Sequence, residues 1–201
     1  MLDASLRKLI DPPLDALGRR LAHLGVTANS VTWTGFIVGC GAWALLALES
    51  YPAALALILL NRLADGLDGA VARHARLTDL GGYLDIVLDF LFYSGVVFFF
   101  AVGRPEHALP AAFLIFSFVG TGASFLAFAA LAAKRGITTA AQGTKSLYYL
   151  GGLTEGTETI ALFVAICLLP DLFPWFAWIF GALCWLTTAV RITMAVRTFT
   201  R

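Results

Sequence analysis

Apolar runs about as long as a bilayer is thick recur along this chain, and they restrict its fold more than any other feature. A helix needs roughly 20 apolar residues to cross the hydrocarbon core. Six such runs lie near residues 30–49, 52–72, 80–103, 107–133, 147–169 and 173–195. With 59% of its 201 residues hydrophobic and 13% charged, a water-soluble domain of this length could not hide its apolar surface. The expected fold is all-α: one polytopic membrane domain over residues 1–201, with six transmembrane helices and no second domain, long linker or internal repeat. A net charge of +1 gives no electrostatic basis for nucleic acid as a partner. Cys40, Cys167 and Cys184 are scattered singly through apolar runs, which suits small buried side chains rather than disulfides or a zinc site. His23, His74 and His107 form no ligand spacing.

Basic residues orient the spans. Arg7, Lys8, Arg19 and Arg20 precede the first, Arg73 and Arg76 separate the second and third, Lys134, Arg135 and Lys145 separate the fourth and fifth, and Arg197 and Arg201 end the chain. The opposite side offers only Arg104, so both termini are expected in the cytoplasm. Residues 1–24 lack an uninterrupted apolar core and do not resemble a cleavable signal. Within them Leu6, Ile10, Leu14, Leu17, Leu21 and Leu24 recur at steps of three and four, opposite Asp15, Arg19 and Arg20. This pattern predicts an amphipathic interfacial helix over 3–24, with Asp11 capping a segment that begins at Pro12–Pro13. Gly25 is expected to end it, and Thr27 or Asn29 to cap the first span. Trp175 and Trp178, with Phe173 and Phe176, suit an aromatic belt at the outer start of the sixth span.

The stretch LADGLDGAVARHARLTDLGGYLDIVLDF, residues 63–90, places five aspartates between hydrophobic segments. Asp65 and Asp68 are three apart, Asp85 and Asp89 four apart, so on helices each pair shares a face. A short basic turn around Arg73–Thr78 predicts that the two helices run antiparallel as neighbours, bringing four carboxylates together near the cytoplasmic end. Such a cluster is costly in a low-dielectric region. A hard divalent cation relieves the cost, and oxygen-only ligation favours magnesium, manganese or calcium over zinc. Gly66, Gly69, Gly81 and Gly82 flank the aspartates and leave room for a bulky polar ligand or for close helix approach. With Arg73 beside them, metals facing an open space suit a phosphate or pyrophosphate. Asp79 reads as a loop or capping residue, and Arg62 as a partner for a carboxylate or a lipid phosphate.

Written as Asp65-x2-Asp68-Gly69-x2-Ala72-Arg73-x7-Gly81-x3-Asp85-x3-Asp89, these positions resemble the signature of the CDP-alcohol phosphatidyltransferases, membrane enzymes of phospholipid synthesis. The motif covers 25 residues, with eight fixed positions matched. The six-span plan with an interfacial N-terminal helix is also similar. In the segment GVTANSVT, residues 25–32, Ala28 stands where the family often has proline. The resemblance implies transfer of a phosphatidyl group from a CDP-linked lipid, usually CDP-diacylglycerol, to a small alcohol, with release of CMP. It implies Asp65, Asp68, Asp85 and Asp89 as ligands of two Mg2+ or Mn2+ ions, with Asp89 also the general base. Asp65, Asp68, Gly69, Ala72, Arg73 and Gly81 would line the nucleotide pocket. It further implies a homodimer in a bacterial inner membrane, with the active site on the cytoplasmic side.

The acceptor is less defined. Lys145 and Arg191, with Arg73, could hold the phosphate of glycerol 3-phosphate, which is the first expectation. Inositol phosphate, serine, choline or another polyol stay open. Glu155 and Glu158, expected inside the fifth span, could orient Lys145 and Arg191, recognise groups on the acceptor, or form a structural ion-pair network. Gly120, Gly122, Ala123, Ser124 and Ala127 predict close packing of the fourth span. A divalent-cation transporter would spread its acidic residues through the membrane depth, whereas these cluster near one face. An inactive structural relative would have lost a ligand, yet all four aspartates and Arg73 are present.

Overall fold

The computed structural model describes residues 2–137 and 154–200. Among them the regular structure is helical: α1 Leu2–His23, α2 Ala28–Ala47, α3 Tyr51–His74, α4 Asp79–Gly103, α5 Ala108–Lys134, α6 Gly156–Leu168 and α7 Phe173–Phe199. Short 3-10 turns at Pro105–His107 and Pro170–Leu172 lead into α5 and α7.

Four of these segments are long and apolar enough to cross a membrane: α2, α4, and α5 and α7 with their leading turns. The other two expected spans differ for separate reasons. Helix α3 has the length but carries Arg62, Asp65, Asp68 and Arg73. Helix α6 has 13 residues, about 20 Å at 1.5 Å per residue, short of a hydrocarbon core of about 30 Å. The expected helix over 147–169 is thus replaced, in its described part, by one that begins at Gly156 after a non-helical Thr154–Glu155.

Helix α1 does not begin at Pro12–Pro13. It runs through both prolines, which forgo two backbone N–H donors within the helix. Its end follows expectation: Gly25 takes φ +80°, and the Val26 N–H returns to the Leu21 carbonyl at 3.0 Å, a left-handed glycine stop. Thr27 then caps α2 by accepting from the Ser30 N–H.

Small residues set the packing. A Cβ on Gly18 would fall 2.7 Å from Ala70, so α1 lies directly against α3, and one on Gly35 would meet Ala64, so α2 and α3 are equally close. The backbone of α4 packs chiefly on α2. Helices α3 and α4 still meet as expected, through side chains such as Arg62 and Asp89, across a cleft floored by α2. Gly120 seats Trp185 and Thr188 of α7, and Gly122 seats Phe90 of α4, in line with the close packing expected of this segment. Away from the cleft, Ile58, Phe92, Val96, Phe100, Leu114 and Phe163 form a buried core. Phe173 belongs to it, stacked 4.2 Å from Phe100; it is not a belt residue, whereas Trp175 and Trp178 are exposed.

Candidate active site

The cleft is lined from three helices: Thr32 from α2, Arg62, Asp65 and Asp68 from α3, Asp85 and Asp89 from α4. Helical spacing puts Asp65 one turn beyond Arg62 and Asp68 one turn beyond Asp65. Thr78 caps α4 by accepting from the Gly81 N–H at 3.0 Å, which fixes the first turn four residues before Asp85. Asp79 is the first helical residue after that cap.

Carboxylate oxygens of Asp65, Asp68 and Asp85 lie within 4.8 Å of one another. Asp68 is buried, Asp65 half-buried and Asp85 exposed, so the trio grades from the protein interior to the open face. The Thr32 hydroxyl donates to Asp68 Oδ2 at 2.5 Å, a contact between residues 36 apart in sequence that the sequence reading missed. Three anionic oxygen donors converging without a nitrogen or sulfur ligand fit a hard divalent cation.

Asp89 stands outside this set of three. Its Oδ1 is 2.9 Å from Arg62 Nη1, and the same nitrogen lies 3.7 Å from Asp65 Oδ2. The guanidinium is itself fixed. Its Nε and Nη2 donate to Asn61 Oδ1 at 2.8 and 2.6 Å, and Nη1 donates to the Tyr93 hydroxyl at 3.0 Å. Asn61 in turn donates to the Gly35 carbonyl at 2.8 Å. The rings of Phe92 and Tyr93 flank the cation at 4.6 and 5.0 Å.

The flanking glycines divide by role. Gly66 admits Leu14 of α1, and Gly81 admits Thr78 and Asn29, whereas Gly82 faces open space and Gly69 meets only the distal end of Arg73 at 3.7 Å. Ala72 is half-buried and Arg73 exposed at the rim. Asp15 of α1 reaches this rim, 3.6 Å from Arg73 Nε and 3.0 Å from His74 Nε2. The hydrogen bond from His74, with its charge and those of Arg19 and Arg73, holds the Asp15 carboxyl below the usual carboxylate range.

The expected acceptor residues are not gathered here. Arg191 is buried between α7 and α5, donating to the Thr121 carbonyl at 3.0 Å with Phe125 5.6 Å away. It does not line the cleft. Glu155 and Glu158 form a reciprocal capping box, with the Glu155 N–H donating to Glu158 Oε2 at 3.1 Å. The usual capping box pairs a Ser or Thr N-cap with Glu or Gln three residues on; here Glu155 takes the N-cap place. Lys145 lies outside the described residues.

A sequence model of the CDP-alcohol phosphatidyltransferase family matches residues 25–193. The inner membrane protein YnjF of Escherichia coli is 58% identical over 193 residues, 96% of this chain and 94% of its own length. Archaetidylinositol phosphate synthase of Pyrococcus horikoshii is 32% identical over 101 residues, 50% of this chain and 54% of that protein. Phosphatidylinositol phosphate synthase PgsA1 of Mycobacterium tuberculosis, solved with CDP-DAG bound, superposes with a TM-score of 0.70 at 20% identity, covering 91% of this chain and 93% of that one. Its complex with manganese and citrate superposes with a TM-score of 0.68 at 21% identity, covering 90% and 88%.

Proposed function

Because the chain belongs to the CDP-alcohol phosphatidyltransferase family, we propose that it moves a phosphatidyl group from CDP-diacylglycerol to a small phosphorylated alcohol and releases CMP. One observation carries this reading. Asp65, Asp68 and Asp85 converge in a single cleft, and Asp89 stands beside them in the grip of Arg62.

Asp65, Asp68 and Asp85 would hold a divalent ion, and Asp89 would be available to touch a second. The manganese complex of PgsA1 supports magnesium or manganese. Such ions, when bound, neutralise charge on the pyrophosphate and on the departing CMP. The protein's own groups do the rest. Thr32 fixes the buried carboxylate of Asp68. Gly69, Ala72 and Arg73 leave the rim open to the nucleotide, and Gly81 lets the first turn of α4 approach α2. Asp89 takes the proton of the acceptor hydroxyl as its oxygen bonds to the β-phosphorus. The bond from that phosphorus to the bridging oxygen breaks, and CMP leaves with the electron pair.

Two acceptors stand out. Glycerol 3-phosphate follows from the basic residues named in the sequence, Lys145, Arg191 and Arg73. Inositol phosphate is supported by the similarity to archaetidylinositol phosphate synthase and to phosphatidylinositol phosphate synthase PgsA1. The interior position of Arg191, away from the cleft, counts against a direct acceptor role for it. Glu155 and Glu158 act as the cap of α6. We place the chain in a bacterial inner membrane with α3 and the stretch 147–169, of which α6 is the described helical part, completing six spans, both termini and the cleft on the cytoplasmic side, and two chains per assembly.

The test is CMP release by the purified protein with CDP-diacylglycerol and, separately, glycerol 3-phosphate, inositol phosphate, serine and choline. One phosphorylated acceptor should stand well above the rest. Absence of CMP release with every alcohol would overturn the reading.

A further inference from the structure

If Asp89 is to accept a proton, something must keep it apart from the three carboxylates beside it. The structure offers one group for this. Among the described residues that line the cleft, Arg62 is the single basic side chain, and it is 8% exposed. A guanidinium has five N–H donors in a fixed fork. Nε and Nη2 are taken by Asn61, which α2 anchors through the Gly35 carbonyl. That leaves Nη1 aimed between Tyr93, Asp89 and Asp65. The aromatic walls of Phe92 and Tyr93 prevent the planar cation from swinging away and add their own attraction. Phe163 of α6 backs both rings, with centroids 6.3 and 5.7 Å away.

We propose that Arg62 is a positioning residue for phosphatidyl transfer: it holds Oδ1 of Asp89 and so reserves that carboxylate for the acceptor's proton instead of the cation cluster. The proposal rests on the reading of Asp89 as the base. Asn61 is part of the same device, since it sets the angle from which Arg62 reaches Asp89. A lysine could not replace the arginine, because one ammonium cannot span Asn61 and Asp89 together.

A double-mutant cycle tests this, with Arg62→Gln, Asp89→Asn and the pair together, each assayed at saturating CDP-diacylglycerol and acceptor. Arg62→Gln should lower kcat by roughly 10–100-fold, the scale of a small misplacement of a reacting group, with the KM for CDP-diacylglycerol unchanged. In the Asp89→Asn background it should add no further loss, because interaction energies fail to add only where two groups act through one another. Mn2+ affinity, measured by calorimetry without substrate, should hold or tighten, since a positive charge 3.7 Å from Asp65 has gone. An equal loss in both backgrounds would make Arg62 a packing residue and overturn the proposal. So would Mn2+ affinity falling in step with turnover. Normal turnover by Asp89→Asn alone would instead overturn the reading of Asp89 as base. If Arg62→Gln does not fold, as judged by gel filtration in detergent, Arg62→Lys serves in its place. It keeps the charge and should show a smaller loss with the same non-additivity.

Discussion

Two arginines in this protein gather carboxylates, and they do so to different ends. Arg104, at the close of α4, meets Glu49 at 3.3 Å, Glu106 at 3.9 Å and Asp171 at 2.7 Å. Arg62 meets Asp89 and Asp65 within a cleft that also holds Asp68 and Asp85. Both clusters are acidic on balance. At Arg104 the partners are 50%, 62% and 84% exposed, so water and salt absorb the imbalance. At Arg62 the cation is 8% exposed and Asp68 is buried beside it, and the arginine is pinned by Asn61, Tyr93 and two rings. The uncompensated negative charge there needs a cation from outside. The same side-chain chemistry is a tie between loops at one end of the bundle and the proposed reaction site at the other.

The comparison breaks most sharply on the aspartates of the cleft. Asp85→Asn or Asp68→Asn removes a ligand charge while keeping shape, and each should lower turnover by at least roughly 10³-fold, the several kcal/mol that charge neutralisation supplies. Excess chelator should do the same to the unaltered protein. Full CMP release in chelator would show that the acidic imbalance of the cleft has no metal to serve. Asp89→Asn should lower turnover by roughly 10²–10⁴-fold for every acceptor, the range of general-base catalysis, while CDP binding survives. Loss of CDP and Mn2+ binding along with turnover would make Asp89 chiefly a ligand.

The cleft and its surroundings were unequally legible. The aspartates could be read because their period matches a helix and their charge is out of place between apolar runs. Thr32, Asn61 and the bond to the Gly35 carbonyl could not, since they are long-range contacts made by single polar residues. An Asn61–Arg62 pair deep within an apolar run is the available signal, and by itself it points no further than a carboxylate or a lipid phosphate as the partner of Arg62. Arg73–Thr78 reads as a turn, but no local pattern tells that the helices it joins both pack their backbones on α2. The prolines of α1 suggest a helix start that tertiary contact with α3 overrides. Phe173 and Trp175 are alike in composition; which one stacks on Phe100 is decided by the turn at Pro170–Leu172. Glu155 and Glu158 read as a pair within one helix, whereas the helix begins between them.

A third site, on α1, lies between the two arginines in character. Asp15 joins α1 to Arg73 and His74 at the rim of the cleft. Its folded pKa is lowered from an unfolded value of about 3.9. The unfolded state therefore holds the proton more tightly, so the contribution to stability is present above about pH 4 and is lost as pH falls through the folded value. Asp15→Asn should lower Tm at pH 6, and the gap from the unaltered protein should close below about pH 4. A gap that stays constant across this range would mean that the Asp15 carboxylate does not bind α1 to the rim.

The smallest effect is expected at Arg104. It has more carboxylate partners than Arg62 within 4 Å, and a simple count would rank it the more important. Its side chain is 23% exposed, its partners are more so, and they sit just after α2 and in the two 3-10 turns. Exposed pairs of this kind are worth about 0–1 kcal/mol each and weaken with salt. Removing the arginine leaves Glu49, Glu106 and Asp171 in contact with water, so no buried charge is stranded. Arg104→Ala should thus shift stability by about 1 kcal/mol or less at low salt, by less still at high salt, and leave CMP release unchanged. Unfolding curves at two salt concentrations, beside an activity assay, measure both. If Arg104→Ala cost turnover on the scale expected for Arg62→Gln, burial would not be what separates the two arginines, and the aspartate cleft would depend on the far end of the bundle.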